Sequence, residues 1–205
     1  KYYLRRERDI QKTLEDGRVN ILHVGRIVPQ KKIEDLVRVF YLFQKRLIPE
    51  SRLILVGTDS GVGNYSRAVK EMIGELDLTG KVLMPGFAAF RELLTYYACS
   101  HLYLCWSEHE GFCVPLIEAM YFGVPIIAYA STAVPDTLGT AGVLVKEKSY
   151  PAIAEMIHLL VSDGALRARV VAHQKERLAA FRPESVKSQL LSLLSQHVLA
   201  GSVAR

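Results

Sequence analysis

Short apolar runs alternate with amphipathic stretches along most of the chain. Val19-Asn-Ile-Leu-His-Val24, closed by Gly25, is a run of the kind that becomes a strand buried on both faces. Ile33, Leu36, Val37, Phe40, Phe43 and Leu47 then recur at helical spacing, up to Ile48-Pro49. The alternation continues, with strands expected over Arg52–Gly57, Lys81–Met84, Leu102–Cys105, Pro125–Tyr129 and Gly142–Val145. Helices are expected between them over Tyr65–Leu76, Phe90–Ala98 and Val114–Phe122. From Tyr150 onward the pattern is helical, broken at Asp163-Gly164 and Arg182-Pro183.

Short strands separated by helices predict right-handed β-α units and an α/β fold, a doubly wound, Rossmann-like parallel sheet with flanking helices. Three segments are expected. Residues 1–18 form a charged helix or linker ending at Asp16-Gly17, residues 19–182 the Rossmann-like domain, and residues 183–205 a C-terminal helix and tail whose apolar face packs on a neighbouring surface. In such a sheet ligands bind beyond the carboxyl ends of the strands, near the point where strand order reverses. The loops to inspect therefore follow Val24, Val56, Met84, Cys105 and Tyr129.

Composition narrows the class. The 205 residues are 50% apolar and 23% charged, the balance of a soluble domain with a real core. Apolar stretches fall short of the roughly 18–20 residues of a membrane span, and Lys1 to Gln11 has no secretory pattern, which points to the cytoplasm. The chain opens on Lys1 without an initiator Met, so a piece of a longer protein is expected. A formal charge of +5 suits an anionic small molecule or an acidic membrane surface equally well. The basic residues form no block with interleaved aromatics, so nucleic acid is not the expected partner. Cys99, Cys105 and Cys113 have no zinc-like spacing and are expected to be buried free thiols, with no metal.

The loop after Val24 carries Gly25, Arg26, Lys31 and Lys32 to the mouth of the first strand. Fixed cations there suit a diphosphate; the plainer alternative is a helix start with solvated basic residues, which the helix dipole disfavours. The loop after Val56, with Gly57, Gly61 and Gly63, lacks the spacing of a dinucleotide fingerprint. The first strand-helix turn lacks it too, which argues against a nicotinamide-linked dehydrogenase. After Cys105 comes Trp106-Ser-Glu108-His109-Glu110-Gly111-Phe112-Cys113-Val114-Pro115-Leu-Ile-Glu118. Pro115 suits a first helical turn, whose N–H groups favour an anion, and Glu118 is placed to accept from vicinal ribose hydroxyls. Acids that simply complement a helix dipole remain the alternative.

Taken together, these residues carry a resemblance. Glu110 and Glu118, seven residues apart, lie within E-G-F-C-V-P-L-I-E-A-M-Y-F-G-V-P-I-I-A. This is similar to the E-x7-E signature of retaining glycosyltransferases of the GT-B architecture, in particular glycosyltransferase family 4, the "glycosyl transferases group 1" class. It is joined in order by Val24-Gly25-Arg26 with Lys31, Leu55-Val56-Gly57, Pro85-Gly86-Phe87 and Val134-Pro-Asp136 leading to Gly142–Val145.

The resemblance implies the nucleotide-sugar-binding half of a two-domain enzyme, with the N-terminal GT-B domain lying outside this chain. Arg26 and Lys31 would hold the diphosphate, with Lys32 standing where the family usually has Gly and so competing for the role. Glu110 would face the donor sugar, and Gly25, Gly111, Phe112, Cys113 and Val114 would line the sugar and phosphate; Cys113 also replaces a usual Gly. Glu118 would take the ribose and Phe87 would frame the base. His109 is a further candidate. The donor would be a nucleoside-diphosphate sugar, the acceptor a glycan or glycolipid at the inner face of a membrane. No cofactor is expected, and the chain has no Asp-x-Asp pair for a divalent ion. The chain alone would be inactive. The alternative is a nucleotide-binding regulatory module without transfer activity.

Overall fold

The computed structural model describes residues 8–59, 61 and 63–202, with side chains described through residue 196. The start of the expected N-terminal helix, residues 1–7, lies outside the described residues.

The strands are β1 (Val19–Val24), β2 (Ser51–Val56), β3 (Val82–Gly86), β4 (Leu102–Cys105), β5 (Ile126–Tyr129) and β6 (Val143–Val145). They form one parallel sheet in the order β3-β2-β1-β4-β5-β6, so the order reverses between β1 and β4. That reversal creates a crevice at their carboxyl ends. The helices are α1 (Arg8–Leu14), α2 (Ile33–Arg46), α3 (Gly63–Glu75), α4 (Phe90–Ala98), α5 (Val114–Phe122), α6 (Val134–Leu138), α7 (Tyr150–Ser162), α8 (Gly164–Leu178) and α9 (Pro183–Ser202).

Alternating strand residues divide the core. Ile21, Leu53, Leu55 and Leu104 face α2 and α7 through Leu36, Phe40, Phe43, Ile153 and Ile157. Leu22, Ile54, Tyr103 and Cys105 face the other side, with Tyr97, Leu116 and Met120 from α4 and α5. Phe40 and Phe43 are fully buried, and each contributes about 2–3 kcal/mol by leaving water. Burial on both faces is why these strands appear in the sequence as unbroken apolar runs.

Two local features differ from the sequence reading, the end of β3 and the short α6. β3 runs on through Pro85 to Gly86, because it is an edge strand that tolerates Pro and its ladder continues when Gly57 N–H donates to Gly86 at 2.9 Å. The expected break at Asp163-Gly164 is where α7 gives way to α8, and the Asp163 carboxylate caps α8 by accepting from the N–H groups of Ala165 and Leu166, both at 2.9 Å. The short α6 was not anticipated.

α9 leaves Val186, Leu190, Leu191 and Leu194 about half exposed. Among the described residues, no helix is long and apolar enough to cross a membrane.

Candidate functional site at the sheet crossover

The site is built on backbone that only certain residues tolerate. Gly25 N–H donates to Val56 at 2.9 Å, and Ile27 N–H to Thr58 at 2.8 Å, which lays the β1 loop against the β2 loop. A Cβ on Gly57, whose φ is +151°, would sit 1.9 Å from the Gly25 carbonyl oxygen, so the approach requires glycine. Lys32, Cys113 and Thr132 adopt positive φ of 50°, 67° and 41° despite carrying side chains. Each costs about 1 kcal/mol or more, and all three lie on the loops that follow β1, β4 and β5. Such strain gathers where a site over-determines its backbone.

The two lysines part company. Lys31 ends a 3-10 turn over Pro29–Lys31 and turns inward, where its Nζ pairs with Glu110 Oε1. The two side chains are only 19% and 11% exposed, so this pair is largely removed from water. Lys32 turns outward to Glu108 Oε2 at 3.4 Å and Glu34 Oε1 at 3.8 Å. Glu108 continues to Lys148 at 2.8 Å, and Lys148 to Asp35 at 3.0 Å. Arg26 is exposed on the same loop.

Glu110 is held from several sides. Its backbone N–H donates to Thr132 Oγ1 at 2.8 Å, and the same hydroxyl donates back to its carbonyl at 2.9 Å. Burial raises its pKa, but hydrogen bonds from Lys31 and Ser107 outweigh burial and hold the carboxylate below its ordinary range. Cys113 then caps α5 in a left-handed conformation, with Pro115 in the first turn, and Gly111, Phe112 and Val114 are exposed beside it. Lys31, Glu110 and the start of α5 therefore meet at the crossover between β1 and β4.

Glu118 lies one turn into α5, where its Oε2 accepts from the Tyr97 hydroxyl at 2.8 Å. Burial, then the charge of Glu118, pushes the Tyr97 phenol far above its ordinary pKa, so it remains a donor. Phe87 is 77% exposed just beyond β3, available to a flat ligand. His109 is exposed.

Sequence reasoning missed several residues at this site. His23 is buried at the end of β1, with Nδ1 2.9 Å from the Leu104 carbonyl oxygen. Among the described residues its Nε2 has no partner, and it lies 3.3 Å from where a Cβ on Gly25 would stand, beside Lys31 Cε at 3.5 Å. Tyr97 and Thr132 were missed too. The three cysteines are buried thiols, but Cys105 and Cys113 are not separate: their sulfurs lie 3.8 Å apart beside Glu110. For His23, Thr132, Cys105 and Cys113 the usable signal was a place on or beside a loop at the carboxyl ends of the strands; Tyr97, near the end of α4, had none.

A cavity of about 370 Å³ lies at the opposite end of the sheet, lined by Leu14, Cys99, His101 and Arg167 among others. Its residues adjoin the amino ends of β1 and β4, where this fold does not place ligands.

Comparison with known proteins gives the geometry its context. The family model described as "Glycosyl transferases group 1" matches residues 5–177. O-antigen chain mannosyltransferase B of Escherichia coli is 25% identical over 171 residues, 83% of this chain and 44% of that protein. D-inositol 3-phosphate glycosyltransferase of Stackebrandtia nassauensis is 29% identical over 186 residues, 87% of this chain and 42% of that protein. The chain thus spans less than half the length of either relative. Among solved structures, sucrose-phosphate synthase from Thermosynechococcus elongatus superposes with a TM-score of 0.75 at 27% identity, covering 95% of this chain and 50% of that one. HepE from Anabaena, solved with UDP-glucose, superposes with a TM-score of 0.74 at 23% identity, covering 94% of this chain and 54% of that one, a likeness of fold alone. The Rossmann-like half of a GT-B fold, expected from the sequence, is the fold the chain adopts.

Proposed function

Because the chain belongs to the glycosyl transferases group 1 family, we propose that it is the donor-binding half of a retaining glycosyltransferase. It takes a nucleoside-diphosphate sugar, and the whole enzyme passes the sugar to a glycan or glycolipid. The observation that carries this reading is the meeting of Lys31 with Glu110 at the start of α5, on the sheet crossover. A cation, a carboxylate and a helix N-terminus there match the three things a bound donor presents: a diphosphate, a polar sugar and a developing negative charge.

Without donor, Lys31 and Glu110 neutralise each other. With donor bound, the diphosphate recruits the Lys31 ammonium, which frees the Glu110 carboxylate for the sugar hydroxyls or the reacting carbon. As the glycosidic bond breaks, negative charge grows on the leaving diphosphate and is met by Lys31, Arg26 and the α5 N–H groups. No cofactor is required in this scheme, in keeping with the lack of an Asp-x-Asp pair. Glu118, steadied by Tyr97, takes the ribose hydroxyls through its remaining oxygen, and Phe87 borders the base. Gly25, Gly111, Phe112, Cys113 and Val114 line the sugar and phosphate. Lys32 and His109 take no part, the first being engaged by Glu108 and Glu34.

The exposed leucines of α9 are offered to the N-terminal domain of the complete enzyme, which works in the cytoplasm at the inner face of a membrane. The named relatives are enzymes, which does not favour a regulatory module without transfer activity. The test is a donor screen on the complete enzyme with the anomeric configuration of the product read by NMR. Transfer with the donor configuration kept supports the proposal, and an inverted product or no transfer from any donor overturns it.

A further inference from the structure

Cys105 closes β4 and Cys113 begins α5, and the loop between them folds back so that their sulfurs lie 3.8 Å apart. One carboxylate oxygen of Glu110 and the two sulfurs all fall within 4.8 Å of one another. A tetrahedral Zn²⁺ with bonds of about 2.3 Å to sulfur puts its two sulfurs about 3.8 Å apart. The sulfurs therefore already stand at the separation of a zinc edge. Zinc imposes a sulfur–oxygen edge of about 3.5 Å, so from a separation within 4.8 Å the carboxylate closes by at most about 1.3 Å.

The three donors are also held in place. Cys105 is registered opposite Ala128 in the sheet, Cys113 is fixed in its left-handed cap, and the Glu110 backbone is clamped by Thr132. Charge closes as well: two thiolates and the Glu110 carboxylate against one dication and the Lys31 ammonium sum to zero. A buried site with unbalanced charge would be costly. We propose that Cys105, Cys113 and Glu110 form a binding site for one thiophilic divalent cation, Zn²⁺ in preference to hard ions such as Mg²⁺. On binding, each thiol gives its proton to solvent and its sulfur lone pair to the metal, so protons are released and nothing is oxidised.

A further consequence rests on the donor-site reading. The cation occupies the carboxylate assigned to the sugar and stands at the start of α5, so metal and donor exclude each other. Zinc is then an inhibitor of this site and not a cofactor.

The experiment titrates the metal-free chain with Zn²⁺ by calorimetry, under a non-thiol reductant, and with Co²⁺ by absorption spectroscopy. One Zn²⁺ per chain and a sulfur-to-cobalt charge-transfer band are expected. Cys113→Ser is expected to weaken zinc by about 100-fold or more, while Cys99→Ser leaves it unchanged. Absence of the cobalt band, or equal affinity in Cys113→Ser and the parent chain, overturns the site. If Cys113→Ser does not fold, Cys105→Ser reads the same contact, and the cobalt spectrum of the parent chain needs no variant. A UDP titration separates the two readings. UDP should bind the metal-free chain and lose about tenfold or more in affinity when zinc is loaded. Equal UDP affinity with and without zinc overturns the exclusion alone, and failure of UDP to bind the metal-free chain counts against the donor reading while the stoichiometry and spectrum still decide the metal site.

Discussion

His23 couples the site to pH in a way that can be measured. It is 1% exposed, its Nδ1 is 2.9 Å from the Leu104 carbonyl oxygen, and Nε2 has no partner among the described residues. A ring that donates through Nδ1 and keeps a lone pair on Nε2 is neutral. Burial, which disfavours the imidazolium, lowers its pKa from 6.5 to about 4, and the nearby Lys31 ammonium adds to the effect.

The folded pKa lies below the unfolded one, so between these values the unfolded chain binds a proton that the folded chain refuses. The contribution is complete above the unfolded value and is lost as pH falls toward the folded one. At about 1.4 kcal/mol per pH unit, the loss reaches about 2.5 kcal/mol by about pH 4.5. His23→Asn keeps a donor toward the Leu104 carbonyl and removes the titration. Urea denaturation of both proteins between about pH 7.5 and about pH 4.5 is the assay. The stability advantage of the parent over His23→Asn should shrink by about 2–3 kcal/mol across that window. Parallel stability curves for the two proteins would refute the reasoning, because they would show that His23 titrates alike in both states.

Two further expectations follow from contacts at the loops. Gly57→Ala puts a methyl 1.9 Å from the Gly25 carbonyl oxygen at a φ of +151°, so it should cost about 2–4 kcal/mol by denaturation and weaken donor binding together; a variant as stable as the parent would contradict the close approach. Tyr97→Phe removes the 2.8 Å donor to Glu118 and should weaken a nucleoside diphosphate by about 3- to 10-fold, with little change for its 2′-deoxy analogue; equal losses for both would take Glu118 off the ribose.

The fold was legible because a doubly wound sheet writes itself as contiguous apolar runs, and Leu102–Cys105, Phe90–Ala98 and Val114–Phe122 match the expected bounds residue for residue. A boundary slipped where hydrogen bonding, not hydrophobicity, sets the end, as at Gly86. At the candidate site, Arg26, Lys31, Glu110 and Glu118 were singled out by type, by their loops and by the resemblance those loops carry, and the structure pairs Lys31 with Glu110. His23, Tyr97 and Thr132 were not, because nothing in their spacing marks them: the sheet register brings in His23, the packing of α4 on α5 brings in Tyr97, and the loop between β5 and α6 brings in Thr132. The Cys105–Cys113 pair was likewise invisible, since eight residues of separation become 3.8 Å only through the left-handed turn at Cys113.

Lys31 and Lys32 are adjacent in the chain, equal in charge and opposite in direction, so they isolate the central claim. Nucleoside diphosphate binding by calorimetry should fall about 10- to 100-fold in Lys31→Ala, the scale of one charge-assisted hydrogen bond, and stay within about twofold in Lys32→Ala, whose side chain is already engaged by Glu108 and Glu34. The reverse order, or no loss in either variant, would contradict a diphosphate site between the β1 loop and the start of α5.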